Sequence, residues 1–210
     1  MLVVVTPVES SEKPGRRDRK KLETRAALEH AALRLVAERG LAGVTVEDIA
    51  EAVDVSSRTF FNYFPSKEDA IIGTPTSEVE LSKRLTAAPA GLSALQALGL
   101  ALREEAELIQ TQRDKWLLRL KVFESNPSLL SRLVAGGAEA ERGLAAAVAE
   151  RAGGADDGFA HLVTAVSLAA FRVAMVRWYA ADGGPSLAGL VDQTFSRLAA
   201  GLPDPAPLPS

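Results

Sequence analysis

The sequence predicts an all-α protein in which a small N-terminal three-helix unit precedes a larger C-terminal helical unit. Alanine and leucine dominate, aromatic residues make up 5% of the chain, and no stretch beyond the first few residues reads as a sustained strand. Apolar residues recur at helical spacing between Ser, Thr, Asn, Gly and Pro positions that mark helix starts and stops. A chain of 210 residues with 47% hydrophobic content is long enough for two such units, each with a core.

Residues 1–18 read as a flexible basic arm, and residues 19–73 as the first unit. Leu28, Ala32, Leu35 and Val36 form the apolar stripe of a first long helix that ends at Gly40. Thr45 is placed to cap a second helix whose opening turn carries Glu47 and Asp48, where negative side chains suit the helix dipole. Ile49, Ala50 and Val53 give that helix one apolar face. The turn Val53-Asp54-Val55 puts Asp54, which tolerates left-handed backbone, where a tight reversal needs it. Ser56 then caps a third helix.

Periodicity divides that third helix into two faces. Phe60 and Phe64, spaced i, i+4, share the side that can pack on Ile49, Ala50 and Val53. Ser57, Arg58, Phe61 and Asn62 fall on the outward side, an odd place for a phenylalanine unless something covers it. In a DNA major groove a thymine methyl could cover Phe61, while Arg58 could donate to guanine O6 and N7 and Asn62 could pair with an adenine edge. Thr45, Thr59, Tyr63 and Lys67 lie toward the rims, suited to phosphate oxygens.

The run Thr45 to Lys67, preceded by Ala31-Ala32-Leu33-Arg34-Leu35-Val36-Ala37-Glu38-Arg39-Gly40, resembles the DNA-binding domain of tetracycline-repressor-like (TetR family) regulators. The resemblance covers roughly residues 20–72. It departs from the family's usual pattern at Asp54, where glycine is usual, and at Ser57, where a basic or polar residue is usual. The first change is tolerable to the backbone; the second alters which bases can be read. The resemblance implies a helix-turn-helix regulator with a C-terminal ligand-binding and dimerisation domain.

Net charge is −3, yet between Lys13 and Arg34 eight basic residues face three acidic ones. Arg16 to Lys21 fits two readings: a patch lying along phosphates, or a solvated, frayed terminus. Glu47, Asp48 and Glu51 are expected to face away from DNA. There is no cysteine, which excludes disulfides, thiolate metal sites and thiol redox sensing. The first residues lack the features of a signal peptide and no segment is expected to reach the length of a membrane span, so the chain is expected in the cytoplasm.

Ser66 can cap a fourth helix that turns Ala70, Ile71 and Ile72 inward and connects to residues 74–202, with the boundary near Gly73-Thr74-Pro75. A short helix over 78–87 is followed by a long one from about Leu92 to about Phe123. Asn126-Pro127 opens the next, which runs to about Arg151, with Gly136-Gly137 as a kink or close-packing point. Asp156 or Asp157 caps a helix to Tyr179, and a last helix spans about 186–200. Residues 203–210 read as a disordered tail.

Leu162, Val166, Ala169, Ala170 and Val173, then Leu187, Leu190, Val191, Thr194 and Leu198, form stripes suited to helix association. In families resembling this one the corresponding pair builds a four-helix dimer interface; the alternative is that both stripes are spent inside one subunit. Trp116, Leu120, Phe123, Phe159, Phe171, Met175 and Trp178 could line an apolar ligand pocket with Arg113, Arg172 or His161 as polar handles, or be plain core. His161 with Asp157 is at most half a metal site, and no metal or cofactor is expected.

Two function classes follow. One is a regulator, most simply a repressor, that binds a palindromic DNA operator as a homodimer and is released by a small-molecule effector. The other is an enzyme or carrier built on the larger unit, with the helix-turn-helix used only for packing. The chain has no Gly-x-Ser-x-Gly, phosphate-cradling Gly-x-x-x-x-Gly-Lys-Ser/Thr, Gly-x-Gly-x-x-Gly or His-Glu-x-x-His, which favours the first and an expectation of no enzymatic activity.

Overall fold

The computed structural model describes residues 16–73, 78–154 and 157–202, and among these the fold is α-helical with no strand. The first unit comprises α1 (Arg16–Arg39), a 3-10 turn (Leu41–Gly43), α2 (Val46–Glu51), α3 (Ser57–Phe61) and α4 (Lys67–Ile72). The larger unit follows with α5 (Glu78–Ala87), α6 (Ala94–Thr111), α7 (Arg113–Ser125), α8 (Pro127–Arg151), α9 (Asp157–Ala180) and α10 (Leu187–Ala199). The expected arm is shortened from its end, because α1 already begins at Arg16; the rest of the arm, Asp156 and the tail from 203 lie outside the described residues.

Two hydrophobic cores organise the chain. Leu28, Leu33 and Val36 of α1, Ile49 of α2, Phe60 and Phe64, and Ile71 of α4 meet in the first. Val122 of α7 and Leu129 of α8 belong to it too, so the first core extends past the division expected near residue 73. The second core gathers Leu98 and Leu102 of α6, Val148 of α8, Ala174 and Trp178 of α9, and Leu187, Val191 and Phe195 of α10. Gly99 is what lets α10 approach α6: a Cβ there would stand 2.8 Å from Phe195 Cδ1, inside van der Waals contact.

The helix expected from Leu92 to Phe123 is two helices. Gln112 leaves helical geometry with φ −117° and ψ 33°, although no Gly or Pro marks the break. The turn lets α6 stay beneath α9 and α10 while α7 swings against α1. It is held from outside, since Arg113 Nε donates to the Gly183 carbonyl at 3.2 Å and its Nη2 to that of Asp182, past the end of α9. By contrast, α8 runs unbroken through Gly136-Gly137, and a Cβ on Gly137 would meet nothing within 4 Å, so that position is not a close-packing point.

The two proposed association stripes part company. On α10, Leu187, Leu190 and Val191 are buried inside their own subunit, Leu190 at 6% exposure; Ala170 of α9 is buried as well. On α9, Leu162 and Val173 stand exposed, joined by Phe159 and Val176. Val166, Ala169, Thr194 and Leu198 are half-buried. Packing explains the split, because α10 uses its stripe to sit on α6 and α9, whereas α9 is apolar around most of its circumference and has more apolar surface than its neighbours cover. Residues Gly158–Ala180 are in fact long and apolar enough to cross a membrane, with mean hydropathy 1.8, contrary to the expectation that no segment is. One side of that helix is spent in the second core, and its apolarity on the other side is an uncovered face of a packed helix.

Candidate nucleic-acid interface

The reading element is assembled by caps. Thr45 and Asp48 form a reciprocal box at the start of α2: the Asp48 N–H donates to Thr45 Oγ1 at 3.1 Å, and the Thr45 N–H donates to Asp48 Oδ2 at 2.8 Å. The Thr45 hydroxyl and backbone N–H hold the Asp48 carboxyl below its usual range, with a smaller contribution from Arg39. Asp54 takes φ +56° in the turn, and Ser56 Oγ accepts from the Thr59 N–H at 3.1 Å to start α3.

Phe60 and Phe64 are fully buried beneath α3, whereas Phe61 is 54% exposed and meets Phe60 edge-on with centroids 5.6 Å apart. Arg58 and Asn62 are also exposed, and Ser57 is half-buried. Regular α3 stops at Phe61, so Asn62 caps it and Tyr63 lies in the turn beyond. Pro65 accounts for the early stop, because it disfavours helical geometry in the residue before it and cannot donate an N–H. Glu47 does not face away from this surface: its Oε1 accepts from Ser57 Oγ at 3.4 Å.

The residues expected at phosphates are more committed than their rim positions suggested. Lys67 Nζ donates to the Val44 carbonyl at 2.7 Å and the Leu41 carbonyl at 2.8 Å, stitching the start of α4 to the 3-10 turn. With two of three ammonium donors so used, it has one left for a phosphate. Thr45 and Thr59 hydroxyls lie against Asp48 and Ser56, at 2.6 and 2.9 Å. Tyr63 is half-buried against the first core. Arg17, Arg19, Lys20 and Lys21 on the first turns of α1 are exposed cations.

The residues put forward for a ligand pocket do not gather at one place. Phe123 packs on the first core, Phe159 lies at an open apolar groove with Leu95, Leu162 and Leu198, and His161 and Arg172 are exposed. Arg113 is spent on the carbonyls beyond α9. Trp178 is fully buried. Trp116, Leu120, Phe171 and Met175 remain together as half-buried residues against the second core. Sequence reading missed Thr164 and Ser167, whose buried hydroxyls, like Trp178 Nε1, have no hydrogen-bond partner among the described residues. The available signal was two polar residues spaced i, i+3 within the apolar run of α9. Also missed was an ion cluster of buried Glu29 and Arg119 with half-buried Lys115, where α1 meets α7. Burial lowers the pKa of the Arg119 guanidinium, and the neighbouring Glu29 carboxylate opposes that shift.

Two short helices joined by a tight left-handed turn, with a buried aromatic pair below and an exposed Arg-Phe-Asn face above, define a helix-turn-helix DNA-binding protein with a helical second domain. Residues 28–70 match the family model described as bacterial regulatory proteins, tetR family, and residues 92–203 match the one described as the MftR C-terminal domain. The chain belongs to the TetR family of transcriptional regulators. It is 36% identical over 176 residues to the HTH-type transcriptional regulator TcmR of Streptomyces glaucescens, covering 79% of this chain and 77% of that protein. Its fold resembles that of Thermus thermophilus FadR, a TetR family repressor in complex with lauroyl-CoA, with TM-score 0.52 and 24% identity over 89% of this chain and 99% of that one. It also resembles FadR of Bacillus halodurans, a fatty acid degradation regulator, with TM-score 0.58 and 18% identity over 91% of this chain and 98% of that one.

Proposed function

We propose that this regulator is a cytoplasmic repressor that holds a palindromic operator as a homodimer and is released when a small molecule occupies its larger domain. The observation that carries the DNA half is the division of α3, with Phe60 and Phe64 locked below and Arg58, Phe61 and Asn62 presented to solvent. Ser57, Arg58, Phe61 and Asn62 read base edges; Thr45, Thr59, Tyr63 and the remaining donor of Lys67 meet phosphates, aided by the basic first turns of α1. Two-fold pairing through the exposed apolar face of α9 supplies the second reading helix, since one half-site gives few contacts.

The ligand half is supported by the buried Thr164, Ser167 and Trp178 polar atoms, unpartnered among the described residues, and by half-buried Trp116, Phe171 and Met175 against the second core. Each unsatisfied buried polar atom costs roughly 1–3 kcal/mol, which a ligand bearing acceptor groups could offset at these donors. The fatty-acid regulators that share the fold make an apolar chain one shape such a ligand could take.

Titration of the protein onto the DNA upstream of its own gene, at two salt concentrations, tests the reading. The expected result is a sequence-specific complex whose affinity falls steeply with salt. A molecule recovered from the purified protein by mass spectrometry should weaken operator binding by the factor by which operator weakens its own binding. Sequence-indifferent DNA binding, or a co-purified ligand that leaves operator affinity unchanged, refutes the corresponding half.

A further inference from the structure

Glu29 sits on α1 at 7% exposure, turned toward the larger domain. Its Oε2 accepts from Lys115 Nζ at 2.7 Å and from Arg119 Nη2 at 3.4 Å, both on α7. Its Oε1 lies 3.5 Å from Arg25 Nε, one turn back along α1. Arg25 continues the chain of contacts: its Nη1 donates to the Tyr63 carbonyl at 3.0 Å, and its guanidinium covers the Phe64 ring at 4.3 Å. Arg119 continues it the other way, donating from Nε to the Ile71 carbonyl at 3.2 Å. It closes over Gly73, where φ is +73° and any Cβ would collide with the guanidinium.

One carboxylate therefore joins two residues of α7 to the exit of the reading helix and, through Arg119, to the last turn of α4. Apolar contacts across a joint tolerate sliding, whereas a buried carboxylate must keep its partners, because an unpaired buried charge is costly. Base reading by Arg58 and Asn62 in turn demands a fixed helix, since bidentate hydrogen bonds are lost with small displacements.

We propose that Glu29 is a positioning residue for DNA reading, which sets the pose of α3 through Arg25 and makes that pose depend on where α7 holds Lys115 and Arg119. The inference rests on DNA binding alone and needs no effector. A shift of α7 that draws the two cations away leaves Glu29 with Arg25 only, and the Tyr63 and Phe64 anchor follows whichever way Arg25 is drawn.

The test uses the full chain with Lys115→Gln, Glu29→Gln and the double variant, and a duplex selected from a random pool by the wild-type protein. Lys115→Gln should speed hydrogen–deuterium exchange in peptides covering 56–66 while leaving the α6 peptides unchanged. It should weaken duplex binding about tenfold at an unchanged salt slope. The double variant should bind no worse than Glu29→Gln alone, because Lys115 acts through that carboxylate. Unchanged exchange at 56–66, uniformly faster exchange, or losses that multiply in the double variant would each overturn the proposal. So would a salt slope reduced by about one unit, which would place Lys115 on a phosphate. If Glu29→Gln fails to fold, the exchange pattern of Lys115→Gln decides alone.

Discussion

Lys67 Nζ donates to the Val44 carbonyl at 2.7 Å, so the lysine that follows the reading helix is also what ties the connector helix α4 to the strand-like link before α2. A cation that looks from its rim position like a phosphate contact is thus first a fold contact. Val44 itself is fully buried, and its carbonyl has a charged donor as partner.

Lys67→Ala should therefore lower stability as well as DNA affinity. Charge-assisted hydrogen bonds contribute about 1.5–3 kcal/mol, so the urea midpoint should fall visibly. The salt slope should change by no more than about one unit. A variant as stable as wild type would show that the two carbonyl contacts carry little energy.

On the reading helix, neighbours should behave oppositely. Phe61→Ala and Arg58→Ala should keep the melting temperature and lose about 1–3 kcal/mol of sequence discrimination each. Phe60→Ala should cost about 3–5 kcal/mol of stability, because its ring is fully buried. Thermal melts beside binding to matched and mismatched duplexes separate the two behaviours, and a destabilised Phe61→Ala would return that residue to the core.

The two apolar stripes of the C-terminal helices should also separate. Leu162→Glu with Val176→Glu should yield folded monomers in sedimentation, since both side chains are more than 60% exposed on α9. Leu190→Glu should unfold the larger domain, because a carboxylate there would be buried in the second core. A double variant that remains dimeric would move the interface off this face of α9.

Gly99→Ala should destabilise the larger domain by roughly 1–3 kcal/mol, the usual cost of overpacking a tight contact. The added methyl would have to push Phe195 off α6. Restored stability in Gly99→Ala with Phe195→Leu would confirm that the ring is what it meets, and wild-type stability of the single variant would show that the ring yields freely.

The capping box predicts a pH dependence. The Asp48 carboxyl is held below its usual range by Thr45, so its contribution is present at neutral pH and is lost as pH falls through the lowered folded-state value. Asp48→Asn should reduce stability at pH 7 and flatten the acid limb of the stability–pH curve. An acid limb identical to wild type would assign that limb to other carboxylates.

The sequence by itself determined the reading element and every helix but the long one that breaks at Gln112. Thr45, Ser56 and Ser66 each cap the helix expected of them, Asp54 takes the left-handed turn, and the i, i+4 spacing of Phe60 and Phe64 puts both in the core and leaves Phe61 out. These are local matters, fixed by caps, turn chemistry and period within a few residues. Tertiary structure alone decided what the larger domain does with its apolar surface. Of two apolar stripes, the one on α10 went inward while the one on α9 kept Leu162 and Val173 exposed, because which neighbour covers a helix face depends on packing as well as on the face. The break at Gln112 and the cluster of Glu29 with Lys115 and Arg119 are of the same kind. Nothing near Glu29 in sequence announces a partner 86 or 90 residues away, and only the swing of α7 onto α1 brings those cations to its carboxylate.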